Sequence, residues 1–220
     1  MIIGIVAAAV VVVLVACVGV TFFALRSLGD TTNTTATGPN AAASPTSSGT
    51  VIYSDTFASD ATGWVQTAGE CTLQSDGYHI ASLYICYAPV GEQTDVTVSV
   101  NVQQVSGPTT HPYGIVFRRV SVGNYYVFRI DSNGEWIFNK CVDSNCTRIV
   151  DFTTNAAIKG GLHTSNTLKV TTKGSHFDFF VNDTKVGQSD DSTFTSGKVG
   201  LVGGESIDCA FKNIVIARPN

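Results

Sequence analysis

The sequence predicts an all-β domain over residues 51–220, a sandwich or barrel of short antiparallel strands behind an apolar N-terminal helix and a linker. Three observations carry this expectation. From Val51 onward, apolar and polar residues alternate in short segments separated by Gly, Asn, Asp and Ser. The composition is 44% hydrophobic but only 14% charged, with 21 glycines and many Val, Thr and Ser, which suits half-buried strands joined by tight turns. No stretch beyond Val51 shows the 3.6-residue apolar period of an amphipathic helix of useful length.

The elements follow in order. Ile2 to Leu25 is apolar apart from small residues and Thr21, and as a helix it would span roughly 36 Å, enough to cross a bilayer with some tilt. Residues 1–28 are therefore expected to be a transmembrane anchor, with the lipid bilayer as partner. The competing assignment is a lipoprotein signal cleaved before Cys17, suggested by Leu14-Val15-Ala16-Cys17. It lacks a charged n-region and stays apolar well past Cys17. Residues 29–50, rich in Thr, Ser, Ala and Asn with two prolines, read as a flexible spacer that would hold the domain roughly 25 Å from the membrane.

Within the domain, "DVTVSVNVQQV" places Val96, Val98, Val100 and Val102 on one face. "GIVFRR" sends Ile115 and Phe117 inward and Arg118 outward with Gly114 and Val116. "TLKVTTKG" and "HFDFFVND" form a hairpin, followed by "KVGLVGG" and a closing strand "CAFKNIVIA". The run Asn124 to Lys140 centres on Asn133-Gly134, the pair favoured in a two-residue type I′ turn. That turn pairs Asp131 with Trp136 and Ile130 with Ile137. Tyr126, Phe128, Ile130 and Ile137 then face the core, and Tyr125, Val127, Arg129, Asp131, Trp136, Phe138 and Lys140 face outward.

Cysteine usage sets the compartment. Cys141 and Cys146 bracket a turn-like Val-Asp-Ser-Asn and are expected to bridge across a hairpin. Of the others outside the anchor, Cys71 pairs best with Cys86 and leaves Cys209 free, although pairings with Cys209 stay open. Such bridges need an oxidising compartment, so the C-terminal domain is expected outside the cytoplasm. Arg26, the cation nearest the span, would by itself argue for the opposite orientation. Net charge is -4 and the 13 Lys and Arg form no run, which excludes nucleic acid as a partner.

The order of "YSDTFASDATGW", "YGIVFRR", "NYYVFRIDSNG", "LKVTTKGSHFDFFVNDTKVG", "SGKVGLVG" and "FKNIVIA" resembles the concanavalin A-like lectin/glucanase superfamily, including laminin-G-like domains, from Tyr53 to Ala217. The resemblance implies a jelly-roll sandwich of two antiparallel sheets, often with a glycan or other extracellular ligand on one face. It does not imply an activity. Glycosidases of the superfamily carry Glu-x-Asp-x-x-Glu on one strand. None of Glu70, Glu92, Glu135 and Glu205 lies in that pattern.

Sugar recognition calls for aromatic rings against C–H patches and planar polar groups that fork hydrogen bonds onto hydroxyls. Arg118, Tyr125, Arg129, Asp131 and Trp136 supply those types on the expected outer face and form the candidate ligand-binding set. The competing structural explanation leaves Trp136 and Phe138 under a loop and Arg129 paired with Asp131. No cofactor is expected. Asp190-Asp191-Ser192 and Asp55 with Asp60 offer hard oxygen ligands for calcium, but turn hydrogen bonding explains them as well. His79, His111, His163 and His176 are dispersed and are expected on loops or the surface. The leading expectation is a membrane-anchored, non-catalytic carbohydrate-binding module. The alternatives are a tethered glycan hydrolase on the same sandwich and a pilin-like or adhesive surface subunit.

Overall fold

The alternation of valines from Val96 to Val102 gives one long strand an apolar inner face that ends at the buried Gln104, and this strand lies at the centre of its sheet. The computed structural model describes residues 49–59 and 63–220. The membrane span, the lipoprotein box at Cys17, nearly all of the linker, and Asp60 lie outside the described residues. Fourteen strands run β1 Thr50–Asp55, β2 Cys71–Gln74, β3 Gly77–Ala81, β4 Ile85–Tyr87, β5 Thr97–Ser106, β6 Tyr113–Ser121, β7 Asn124–Ile130, β8 Glu135–Val142, β9 Asn145–Thr154, β10 Asn166–Lys173, β11 His176–Val181, β12 Thr184–Asp190, β13 Lys198–Val202 and β14 Asp208–Arg218. They form two antiparallel sheets. One has the order β12-β11-β10-β5-β14-β3-β2, with β1 added on β14, and the other has the order β4-β13-β6-β7-β8-β9.

The core lies between these sheets. Val98 and Val100 of β5 and Ile214 and Ile216 of β14 meet Ile115 and Phe117 of β6 and Phe128 of β7, all excluded from solvent. A row of rings joins the layers: Phe117 meets Phe177 at 5.3 Å between centroids, Phe128 meets Phe179 at 4.9 Å, and Phe138 meets Phe179 at 4.7 Å. Burying each such ring is worth roughly 1.5–3 kcal/mol, so these contacts fix how the sheets face each other.

Both expected disulfides are present. Cys141 and Cys146 are directly opposed on β8 and β9, where Asp143 (φ 49°) and Ser144 (φ 68°) make the two-residue turn. Cys71 bonds Cys86 and so ties the first sheet to β4 of the second. Cys209 is a buried free thiol, raised well above its ordinary value by burial.

The hairpin around Asn133-Gly134 departs from expectation. Ile130 pairs with Trp136 and Phe128 with Phe138, one residue away from the register of a type I′ turn. Asp131 N–H donates to Glu135 O (2.9 Å), Gly134 N–H approaches Asp131 O (3.5 Å), and Gly134 takes φ 96° while Asn133 stays at negative φ. This is a three-residue loop, a type I turn closed by glycine in a G1 bulge. Asp131 selects it, because its Oδ1 accepts the amides of both Asn133 and Glu135 at 3.0 Å. The extra loop residue turns β8 over. Trp136 and Phe138 therefore enter the core, and Ile137 moves to the opposite face of β8.

Candidate functional site

β7 alternates as expected, so Tyr125, Val127 and Arg129 point away from the core, on the outer face of the six-stranded sheet. Across that face, cross-strand pairing makes two rows. Ile85, Val202, Gly114, Arg129 and Ile137 form one. Tyr87, Gly200, Val116, Val127, Asn139 and Arg148 form the other. Val116, Val127 and Val202 make a small apolar floor, with Ile85 and Tyr125 packed on it, separate from the main core. Val127, Val202, Ile85 and Tyr125, together with exposed Leu83 and the Cys141–Cys146 disulfide, bound an open cleft of about 410 Å³.

Arg129 is the charged residue lining this cleft. Its Nη2 donates to Asn139 Oδ1 at 3.0 Å, and its Nε is enclosed with no acceptor among the described residues. Burial pulls the guanidinium below its ordinary value; the Tyr125 hydroxyl opposes that fall and the Arg148 charge adds to it. Arg119, over the same sheet, stacks on the Tyr87 ring at 4.4 Å. Arg148 pairs with Asp151 at 3.0 Å, whereas Arg119 and Arg129 meet no carboxylate among the described residues. The cleft thus combines an aromatic ring, an apolar floor and an incompletely satisfied guanidinium.

Of the five candidate residues, Tyr125 and Arg129 reach this cleft and the other three do not. Arg118 was expected outward, but β6 carries an extra residue where Lys198 pairs with Arg119 and Gly200 with Val116, and Arg118 takes φ 48°. The bulge buries it to 1% exposure. Its guanidinium donates to the carbonyls of Thr94 (3.2 Å), Phe194 (3.0 Å) and Gly174 (2.6 Å), approaches Asp95 at 3.4 Å, and lies over Phe177. It locks three loops. Asp131 is likewise buried and occupied by its own turn.

Trp136 is 3% exposed and lies against Phe128 and Phe179. Its ring fills the space left by Gly187 of β12, where a Cβ would stand 2.3 Å from Cη2. Its indole N–H has no partner among the described residues. Asn139 was missed by sequence reasoning, because the expected register put it on the core face. The aspartate before Ser-Asn-Gly was the signal that could have found it.

The remaining polar candidates also serve the frame. Asp191 accepts from Lys140 (2.6 Å), Tyr126 and the Thr193 amide, Asp190 from His176, and Asp55 from Tyr53 and the Phe57 amide. No group of three or more His, Cys, Asp or Glu side chains is placed to hold a metal among the described residues. His79, expected at the surface, is buried on β3 between Asp76 (2.8 Å) and Asp208 (2.9 Å).

No family model and no curated protein matches the chain. Solved structures do. The carbohydrate binding module CBM66 from Bacillus subtilis aligns with a TM-score of 0.62 at 19% identity, covering 72% of this chain and 97% of that one. A putative glycosyl hydrolase from Parabacteroides distasonis aligns with 0.55 at 13% identity, covering 74% and 98%. A protein of unknown function with a galectin-like fold from Bacillus subtilis aligns with 0.53 at 10% identity, covering 78% and 97%. The chain therefore has a concanavalin A-like, galectin-like β-sandwich fold, common to proteins named for binding carbohydrate and for hydrolysing it.

Proposed function

We propose that this chain is a carbohydrate-recognition module, displayed outside the cytoplasm from an N-terminal membrane anchor, that binds its glycan on the outer face of the six-stranded sheet. The observation that carries this is the cleft itself, where the Tyr125 ring and a valine floor adjoin a guanidinium that has spare donors. Such a surface suits a sugar, which presents an apolar C–H face beside hydroxyl acceptors. The fold supports the proposal through its likeness to a carbohydrate binding module. Two disulfides fit an oxidising compartment.

The role is recognition rather than turnover. The residues lining the cleft include no carboxylate, so neither the acid nor the nucleophile of a glycosidase pair stands at its wall. A glycan array probed with the full chain, alongside Arg129→Met and Tyr125→Ala, tests this directly. Binding of a discrete glycan class, weakened at least about tenfold by either substitution, is the expected result. Release of reducing ends from any bound glycan would instead make the protein a hydrolase.

A further inference from the structure

The charge distribution over the candidate cleft narrows its ligand. The chain as a whole is acidic, with 17 Asp and Glu against 13 Lys and Arg. On the outer face of the six-stranded sheet Arg148 is paired with Asp151, but Arg119 and Arg129 meet no carboxylate among the described residues and leave their charge unmatched.

A buried and a half-buried arginine in the same fold make the contrast plain. Arg118 faces three carbonyls and a carboxylate, so its charge is fully matched within the protein. Among the described residues, Arg129 faces one amide oxygen, holds an enclosed Nε with no acceptor, and has Arg148 rather than an acid as its charged neighbour. A partly buried guanidinium left in this condition is costly unless something supplies acceptors and negative charge. The planar fork of arginine is best matched by an oxyanion with two oxygens.

Resting on the glycan assignment above, we infer that the ligand is an acidic carbohydrate that places a sugar-borne oxyanion, a uronate-type carboxylate or a sulfate ester, on Arg129. Tyr125 and the valine floor receive the apolar face of the same residue. Arg119 adds field across the sheet and favours polyanionic chains over single acidic sugars.

The test is isothermal titration of the full chain with three oligosaccharides of equal length, an oligogalacturonate, a sulfated galactan and a neutral galactan. It is repeated with Arg129→Lys and Arg129→Met after their melting curves are checked. The expected result is at least tenfold tighter binding of one acidic oligomer than of the neutral one. Arg129→Met should abolish that preference, Arg129→Lys should restore only part of it, and added salt should weaken it. Which acidic oligomer wins separates carboxylate from sulfate. Equal binding of all three, lost together in Arg129→Met, overturns the acidic-ligand inference and leaves the glycan assignment standing. No binding by either acidic oligomer overturns the acidic-ligand inference, and only a blank glycan array overturns the glycan assignment with it.

Discussion

Substituting Gly187 by alanine tests the architecture at the point where the chain's register departs from the simplest hairpin. A Cβ at Gly187 would stand 2.3 Å from Trp136 Cη2 and 2.5 Å from Cζ2. Carbon atoms prefer about 3.5–4.0 Å, so the ring would have to retreat by roughly 1 Å or more. It has nowhere to go, being packed on Phe179 at 5.6 Å and Phe128 at 6.1 Å between centroids. Overpacking of this kind costs about 1–3 kcal/mol. Trp136→Phe shortens the ring and removes an unpartnered indole N–H, so by itself it should cost about 1 kcal/mol or less. In the double variant the alanine has room, and at least half of its cost should vanish as a coupling energy. Urea unfolding followed by circular dichroism of the four proteins is the assay. If Gly187→Ala costs under about 0.5 kcal/mol, or costs the same with either residue at 136, Trp136 does not occupy this space and the observed register is wrong.

Arg118→Met should destabilise by about 3–5 kcal/mol by orphaning three buried carbonyls, whereas Arg129→Met should change stability by no more than about 1 kcal/mol, both read from urea midpoints. Loss of Cys71–Cys86 by Ser substitution should cost about 3 kcal/mol and loss of Cys141–Cys146 about 2 kcal/mol, following the lengths of the closed loops. Burial would raise the Asp191 carboxyl, but hydrogen bonds from Lys140, Thr193 and Tyr126 hold it well below the usual range. Its contribution is therefore present above the unfolded pKa near ~4 and lost as pH falls further, and Asp191→Asn should flatten that acid limb. Tyr126, pushed up to about 12 by burial and by the Asp191 carboxylate, prefers its neutral form in the native state. Stability should thus decline as pH rises from ~10 toward 12, and less so in Tyr126→Phe.

What the sequence disclosed and what it withheld follow from the range of the interactions concerned. The valine face of β5, the β10–β11 hairpin and the Cys141–Cys146 turn depend on residues a few positions apart, and alternation or turn chemistry reveals them. The Asn133-Gly134 hairpin is local too, but two loops compete for that dipeptide. The Asp131 side chain decided between them. The inward turn of Arg118 depends on a bulge opposite β13 and on acceptors from residues 94, 174 and 194. Trp136 needs Gly187 from the other sheet. Contacts so distant in the chain leave no periodic signal. Tyr125 and Arg129 were legible because β7 keeps an unbroken alternation; Asn139 was hidden by the one-residue slip.

The claim that matters most is that the outer face of the six-stranded sheet at Arg129 is where ligand binds. Amide and Arg Nε–H chemical-shift mapping of the full chain, titrated with the tightest-binding oligosaccharide from the array, measures this in a single experiment. Shifts concentrated on Ile85, Val127, Arg129, Asn139 and Val202, with the Arg129 Nε–H resonance among the largest, are the result expected. Shifts confined to the eight-stranded sheet, with Arg129 unmoved, would contradict it.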